Sequence, residues 1–137
     1  MLAERKNGMI ALDNNVWVRY VTNDEPDQAK RALAVLAEAK EMFVAKATLL
    51  ELEWLLRAAY ELPAMAIIRA LRHILGLPNV QAEMPDQLEK AIVFYEKGLD
   101  FADALHLASS PEGVSFYTFD TAFIKRARSL KAPVRAL

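Results

Sequence analysis

Four acidic side chains stand at points where an apolar run gives way to a turn or a helix start. "MIALD" ends on Asp13 and "FYTFD" ends on Asp120, while "TLLELEW" carries Glu51 and "DFADALHLA" carries Asp103, three residues after Asp100. Carboxylates brought together repel one another and hold their protons more tightly. A divalent cation relieves that repulsion, and Mg2+ and Mn2+ take oxygen ligands in octahedral geometry. A cation so held orients a phosphodiester, activates a water and neutralises developing charge. The chemistry these residue types imply is metal-assisted phosphodiester hydrolysis.

That chemistry needs acids far apart in sequence to reach one place, so the elements that carry them matter. Met9–Leu12, Met42–Ala45, Asn79–Ala82, Val114–Phe119 and Val134–Leu137 read as short strands. Between them lie helical patterns over Asn15–Val21, Asp27–Lys40, Thr48–Tyr60, Pro63–Leu75, Pro85–Lys97, Asp100–Ser109 and Thr121–Leu130. Apolar residues recur there at helical spacing, Pro63 suits a first helical turn, and Gly98 suits a helix end. The alternation predicts a helix-rich α/β fold, three layers α/β/α with a short, central, mainly parallel sheet. Parallel strands open their carboxyl ends on one edge, where ligands collect. Asp13, Glu51, Asp103 and Asp120 all fall at that edge.

Each acid also has a purely structural reading. Asp13 suits an Asx turn or the cap of the helix that follows it. Thr48-x-x-Glu51 spells a capping box. Asp100 suits an N-cap with Asp103 in the first turn, and Asp120 suits the cap of the last helix. These readings explain the acids one by one and leave their common edge unexplained.

The totals narrow the classes further. At 137 residues the chain fits one domain able to bury a core without staples. It contains no cysteine, which excludes disulfides and thiolate metal sites. Lys+Arg 17 against Asp+Glu 18 gives a net charge of −1, so charge alone announces no nucleic-acid partner. No apolar stretch has the length of a membrane span, and the amino terminus lacks the apolar centre of a signal peptide. The expectation is a cytoplasmic protein with no membrane partner. Residues 1–8 read as a polar extension, with a single domain over 9–137.

At the acidic motifs the chain resembles the PIN-domain family, in particular the VapC-type ribonuclease toxins. "MIALDNNVWVRYV" resembles that family's opening strand and Asp-Thr-Asn, "LLELEWLL" its helix with the second acid, and "DFADALHLA" and "TFDTAF" its third and fourth motifs, in the same order. Carried over position by position, the metal-centre acids are Asp13, Glu51, Asp103 and Asp120. Asp100 is an additional ligand or a support for Asp103. Asn15 is expected to hold Asp13 or its turn by a side-chain hydrogen bond, and Thr118 to orient Asp120. Glu53 lies about 200° round the helix from Glu51 and is not the matching acid. Asn14 stands where the family usually has threonine. The resemblance implies an endoribonuclease acting on structured RNA (tRNA, rRNA or mRNA) with Mg2+ or Mn2+, paired as a homodimer and restrained by a small protein antitoxin.

Other residues carry weaker expectations. The densest basic stretch, "KRARSLKAPVR", puts Lys125 and Arg126 forward as RNA contacts, with Arg19 near the first motif; a basic helix can equally be a solvated face. "LPAMAIIRALRHILGL" has a wide apolar face, expected to form an antitoxin groove with Thr48–Tyr60. His73 and His106 read as packed or surface histidines, and Trp17, Trp54 and Tyr60 as core or interface residues. The competing functional class is a non-catalytic PIN-like scaffold binding RNA or protein. A receiver-type domain would want an acidic pair near the first strand and a lysine after a late one, and neither is present. A purely structural fold with four capping acids is the remaining alternative.

Overall fold

Short strands of three or four residues, separated by helices, make up a computed structural model that describes residues 8–137. The polar extension, apart from Gly8, lies outside the described residues. Among the described residues the protein is a helix-rich α/β chain with seven helices and parallel strands, as the alternation predicts. It divides into two compact units, one ending at Glu83 and one spanning Met84–Leu137. The strands form one three-stranded and one two-stranded ladder.

In the first unit, β1 (Met9–Ala11), β2 (Glu41–Val44) and β3 (Val80–Ala82) lie side by side in that order. The register sets Ile10 beside Met42 and Met42 beside Val80. Two helices intervene at each crossover: α1 (Asn14–Thr22) and α2 (Pro26–Glu38), then α3 (Lys46–Ala58) and α4 (Ala64–Leu75). Both crossovers step the same way, and right-handed connections then put all four helices on one face. The burial of β2 agrees with a single covered face, since Met42 and Val44 are buried and Phe43 between them is exposed.

The core of this unit gathers Trp17 from α1, Leu49, Leu52 and Leu56 from α3, and Ile67, Leu71 and Ile74 from α4, all fully buried. The apolar face of α4 is therefore covered, against the expectation of an open groove, because α3 and α4 pack together. What remains exposed on these two helices is Trp54 and Met65. Trp54 thus departs from the packed position its leucine neighbours suggest. Glu53 is buried instead, and it accepts a hydrogen bond from Arg57 Nε at 2.8 Å. The turns are fastened by polar side chains. Asn79 Nδ2 donates to the carbonyls of Leu36 and Ala39 at the end of α2. Arg19 donates to Gln28, Asp24 and Tyr60, and the Tyr60 hydroxyl donates to Asp24 at 2.6 Å.

In the second unit, α5 (Pro85–Glu96) packs on α6 (Phe101–Ser109) through Leu88, Ala91, Ile92 and Tyr95 on one side and Phe101, Ala104 and Leu105 on the other. Tyr95 and Phe101 meet edge to face at 5.2 Å. Strand β4 (Phe116–Thr118) pairs in parallel with β5 (Val134–Ala136) across α7 (Thr121–Ser129), and Phe123 of α7 lies 5.6 Å from the Phe116 ring. The predicted strand from Val114 is shorter than its aromatic pattern suggests. Val114 N–H closes a turn onto the Pro111 carbonyl instead of joining the ladder.

Two truncations to alanine on α3 distinguish its faces. Leu52→Ala, at 0% exposure, is expected to cost about 3 kcal/mol in chemical denaturation. Trp54→Ala, at 56% exposure, is expected to stay within about 0.5 kcal/mol of the parent. Equal losses would overturn the placement of the two faces.

Candidate metal centre

Every parallel strand that ends in a helix start leaves backbone N–H groups without intrahelical partners, and a carboxylate is their best acceptor. The sequence meets this need with the very acids singled out for chemistry. Asp13 precedes α1, and its Oδ1 accepts from the Asn14 backbone N–H at 2.7 Å. Asp100 caps α6 by accepting from Asp103 N–H at 3.3 Å. Asp120 caps α7 by accepting from Phe123 N–H at 3.1 Å. The capping readings of these three are real. Each uses one carboxylate oxygen, and the other has no hydrogen bond to the described residues, so a cap does not exhaust the ligand capacity of the group.

Glu51 is different. The helix begins two residues earlier than the spacing predicts, at Lys46, with Ala45 as its N-cap. Thr48 therefore lies inside the first turn, and the expected capping box does not form. Thr48 N–H bonds the Ala45 carbonyl inside the first turn, and at the actual helix start Lys46 N–H bonds Glu83 Oε1 at 2.9 Å. Glu51 is left exposed in the second turn of α3 without a capping duty. Glu83 was missed in the sequence, although it directly follows β3 and the rule that flagged Asp13 and Asp120 flags it too. At the carboxyl edge of the first sheet the structure thus sets Asp13 after β1, the start of α3 after β2, and Glu83 after β3.

Supports around the acids differ in detail from expectation. Asp13 is held by the backbone of Asn14, and no side-chain hydrogen bond from Asn15 to Asp13 exists among the described residues. Asn15 instead lines a cleft of about 420 Å³ with Arg19, Gln28 and Arg31. Thr118 Oγ1 accepts from the Asp120 backbone N–H at 3.0 Å, so it orients the residue through its main chain. Arg126 Nη1 donates to the Gly98 carbonyl at 2.6 Å and fastens α7 to the turn that leads into Asp100. Lys125 is exposed on the same helix. Arg19 is committed to its network with Asp24, Gln28 and Tyr60.

The electrostatics single out Asp103. Burial pushes its carboxyl above the ordinary 3.8, the charges of Asp100 and Asp120 push the same way, and His106 opposes them. Asp100, Asp103 and Asp120 are thus close enough in the second unit to feel one another. Asp13 and Glu51 belong to the first unit, and in neither unit alone do three acidic or imidazole side chains among the described residues gather to hold an ion.

The sign of the Asp103 shift makes a prediction. The folded chain keeps this proton to higher pH than the unfolded chain does, so stability falls as pH rises past 3.8. Asp103→Asn removes the charge and no cap acceptor. The variant is expected to melt above the parent at pH 7 in calorimetry, with the margin closing below pH 3.8. A variant that melts lower at neutral pH overturns the crowding argument.

Comparison with known proteins gives a match along most of the chain. The family described as PIN domain matches residues 10–129, from β1 through α7 and hence through both units. A search of curated proteins found no match. The matched span begins at the strand before Asp13 and includes Glu51, Asp103 and Asp120: this chain belongs to the PIN domain family.

Proposed function

We propose that the protein is a metal-dependent endoribonuclease that hydrolyses phosphodiester bonds of structured RNA, and that it is the toxin of a toxin–antitoxin pair. PIN domains are typically nucleases, which makes nucleic acid the expected substrate class. The observation that carries the finer reading is the Asp103 carboxyl, desolvated and crowded by Asp100 and Asp120. Asp13, Asp103 and Asp120 are the proposed ligands of Mg2+ or Mn2+, with Glu51 completing the set. The donors are all carboxylate oxygens, a chemistry that suits these hard cations. Once bound, such a cation neutralises charge on the phosphate and lowers the pKa of an attacking water. The chain's own part is positional. Thr118 fixes the backbone of Asp120, Arg126 fixes the turn before Asp100, and α7 presents Lys125 beyond the acid.

The same reading includes a small protein antitoxin and a homodimer, acting in the cytoplasm. Exposed Trp54 on α3 and Met65 on α4 support a protein contact there, and no helix of the described residues is long and apolar enough to cross a membrane. A second reading, a non-catalytic PIN-like scaffold for RNA or protein, has one observation in its favour: neither unit by itself assembles three donors.

Cleavage decides between the two readings. Purified protein is expected to cut a mixed tRNA and rRNA preparation with Mn2+ or Mg2+ and to be silent with chelator. Asp13→Asn and Asp103→Asn are each expected to lose about a hundredfold or more while staying folded. Full activity in both variants sinks the assignment. Absence of cutting together with no calorimetric Mn2+ binding establishes the scaffold.

A further inference from the structure

We propose that Tyr117 and Phe119, with Arg135 beside them, form a stacking platform for unpaired RNA bases next to Asp120. The inference rests on the RNA reading given above and adds the residues that would hold the bases. In sequence, the aromatics of "FYTFD" look like ordinary strand interior. In the structure they divide. Phe116 faces inward, with its ring near His106 and Phe123. Tyr117 and Phe119 are 57% and 78% exposed. Two large aromatic rings left this open this close together in the chain are a candidate contact surface.

Within β4, Tyr117 is open to solvent between half-buried Phe116 and Thr118, and Phe119, also open, follows in the bend after the strand. The ladder sets Tyr117 directly beside Arg135. Arg135 is not left to wander, because its Nε donates to Ser115 Oγ at 3.2 Å. Two exposed rings thus stand two residues apart in the chain, with a guanidinium fixed beside the first. Rings of this kind accept bases by stacking whatever their sequence, and arginine adds a cation for the phosphate or a second plane for a base. The occupant is read from this charge and ring chemistry together. An aliphatic partner would need no arginine, and a duplex buries the base faces that these rings would meet. Position completes the case. Phe119 is the residue before Asp120, and the Thr118 hydroxyl that takes the Asp120 N–H fixes the turn between ring and carboxylate.

The test is binding of a fluorescein-labelled 12-nucleotide single-stranded RNA, and of the same strand in duplex, to the full chain. Anisotropy is read in chelator, where cleavage is off. Tyr117→Ala/Phe119→Ala is expected to weaken single-strand binding about five- to a hundredfold. Its salt dependence and its duplex affinity are expected to stay as in the parent. Phe119→Trp is expected to bind as the parent does, and Arg135→Glu to lower the salt slope by about one. Unchanged single-strand affinity in the double variant overturns the platform, and so does an equal loss for duplex. A change of sedimentation without loss of RNA affinity also overturns it and makes the face a protein contact. Unchanged affinity with intact Mn2+-dependent cutting rejects the platform alone. Absence of both RNA binding and cutting in the parent rejects the platform and the nuclease reading together.

Discussion

The bond between an aspartate and the amides of a helix start is the interaction on which this structure turns. A three-residue strand has little to anchor it, and the chain must leave it and enter a helix within two or three residues. The partial positive charge of the helix terminus draws a carboxylate to that junction. Asp13 and Asp120 sit there, Asp100 sits at the start of α6 after the turn from α5, and each bonds a backbone N–H. The fold thereby places negative charge at three of its helix starts, and the placement comes from the needs of the backbone before any ligand is considered. Crowding at Asp103 is the consequence: a fourth carboxylate, one turn into α6, meets two that the caps have already put in place.

Holding like charges close costs stability, and the surrounding elements supply restraint. Arg126 ties α7 to Gly98, and Thr118 ties the turn before α7. In the first unit, Arg19, Asp24 and Tyr60 lock the end of α1 to the end of α3, and the Tyr60 hydroxyl, ahead of Thr22 and Arg19, holds Asp24 below the ordinary 3.8. These bonds involve part-exposed groups, so their worth lies more in fixing geometry than in adding stability.

Much of this was legible in the sequence because it follows from period and punctuation. The apolar spacing of α4, the strand pairs beside Asp13 and Asp120, and the stop at Gly98 all follow local rules that tertiary packing leaves standing. Legibility failed where a distant residue decides. The helix starts at Lys46 rather than Thr48, and Glu83 meets the Lys46 N–H there because β3 ends beside the start of α3, a fact of topology rather than of spacing. Trp54 and Glu53 exchanged expected places for a similar reason: α3 must turn one face to α4, and the identity of that face is fixed by Leu49, Leu52 and Leu56 together. Inward Phe116 and outward Tyr117 could not be told apart, since two adjacent aromatics in a three-residue strand offer little hydropathy contrast.

Gly98 gives the arrangement a weak point of an unusual kind. Its φ of +111° is one that side-chain-bearing residues rarely adopt, and a Cβ there would meet Arg126 Nη1 at 3.4 Å. Gly98 is therefore a position where a substitution disturbs the setting of Asp100 while leaving every acid in place. A single change at a residue with no side chain would strain the turn into Asp100, which Arg126 fastens. Genetic screens that look only at the carboxylates would pass over the position on which two of them depend.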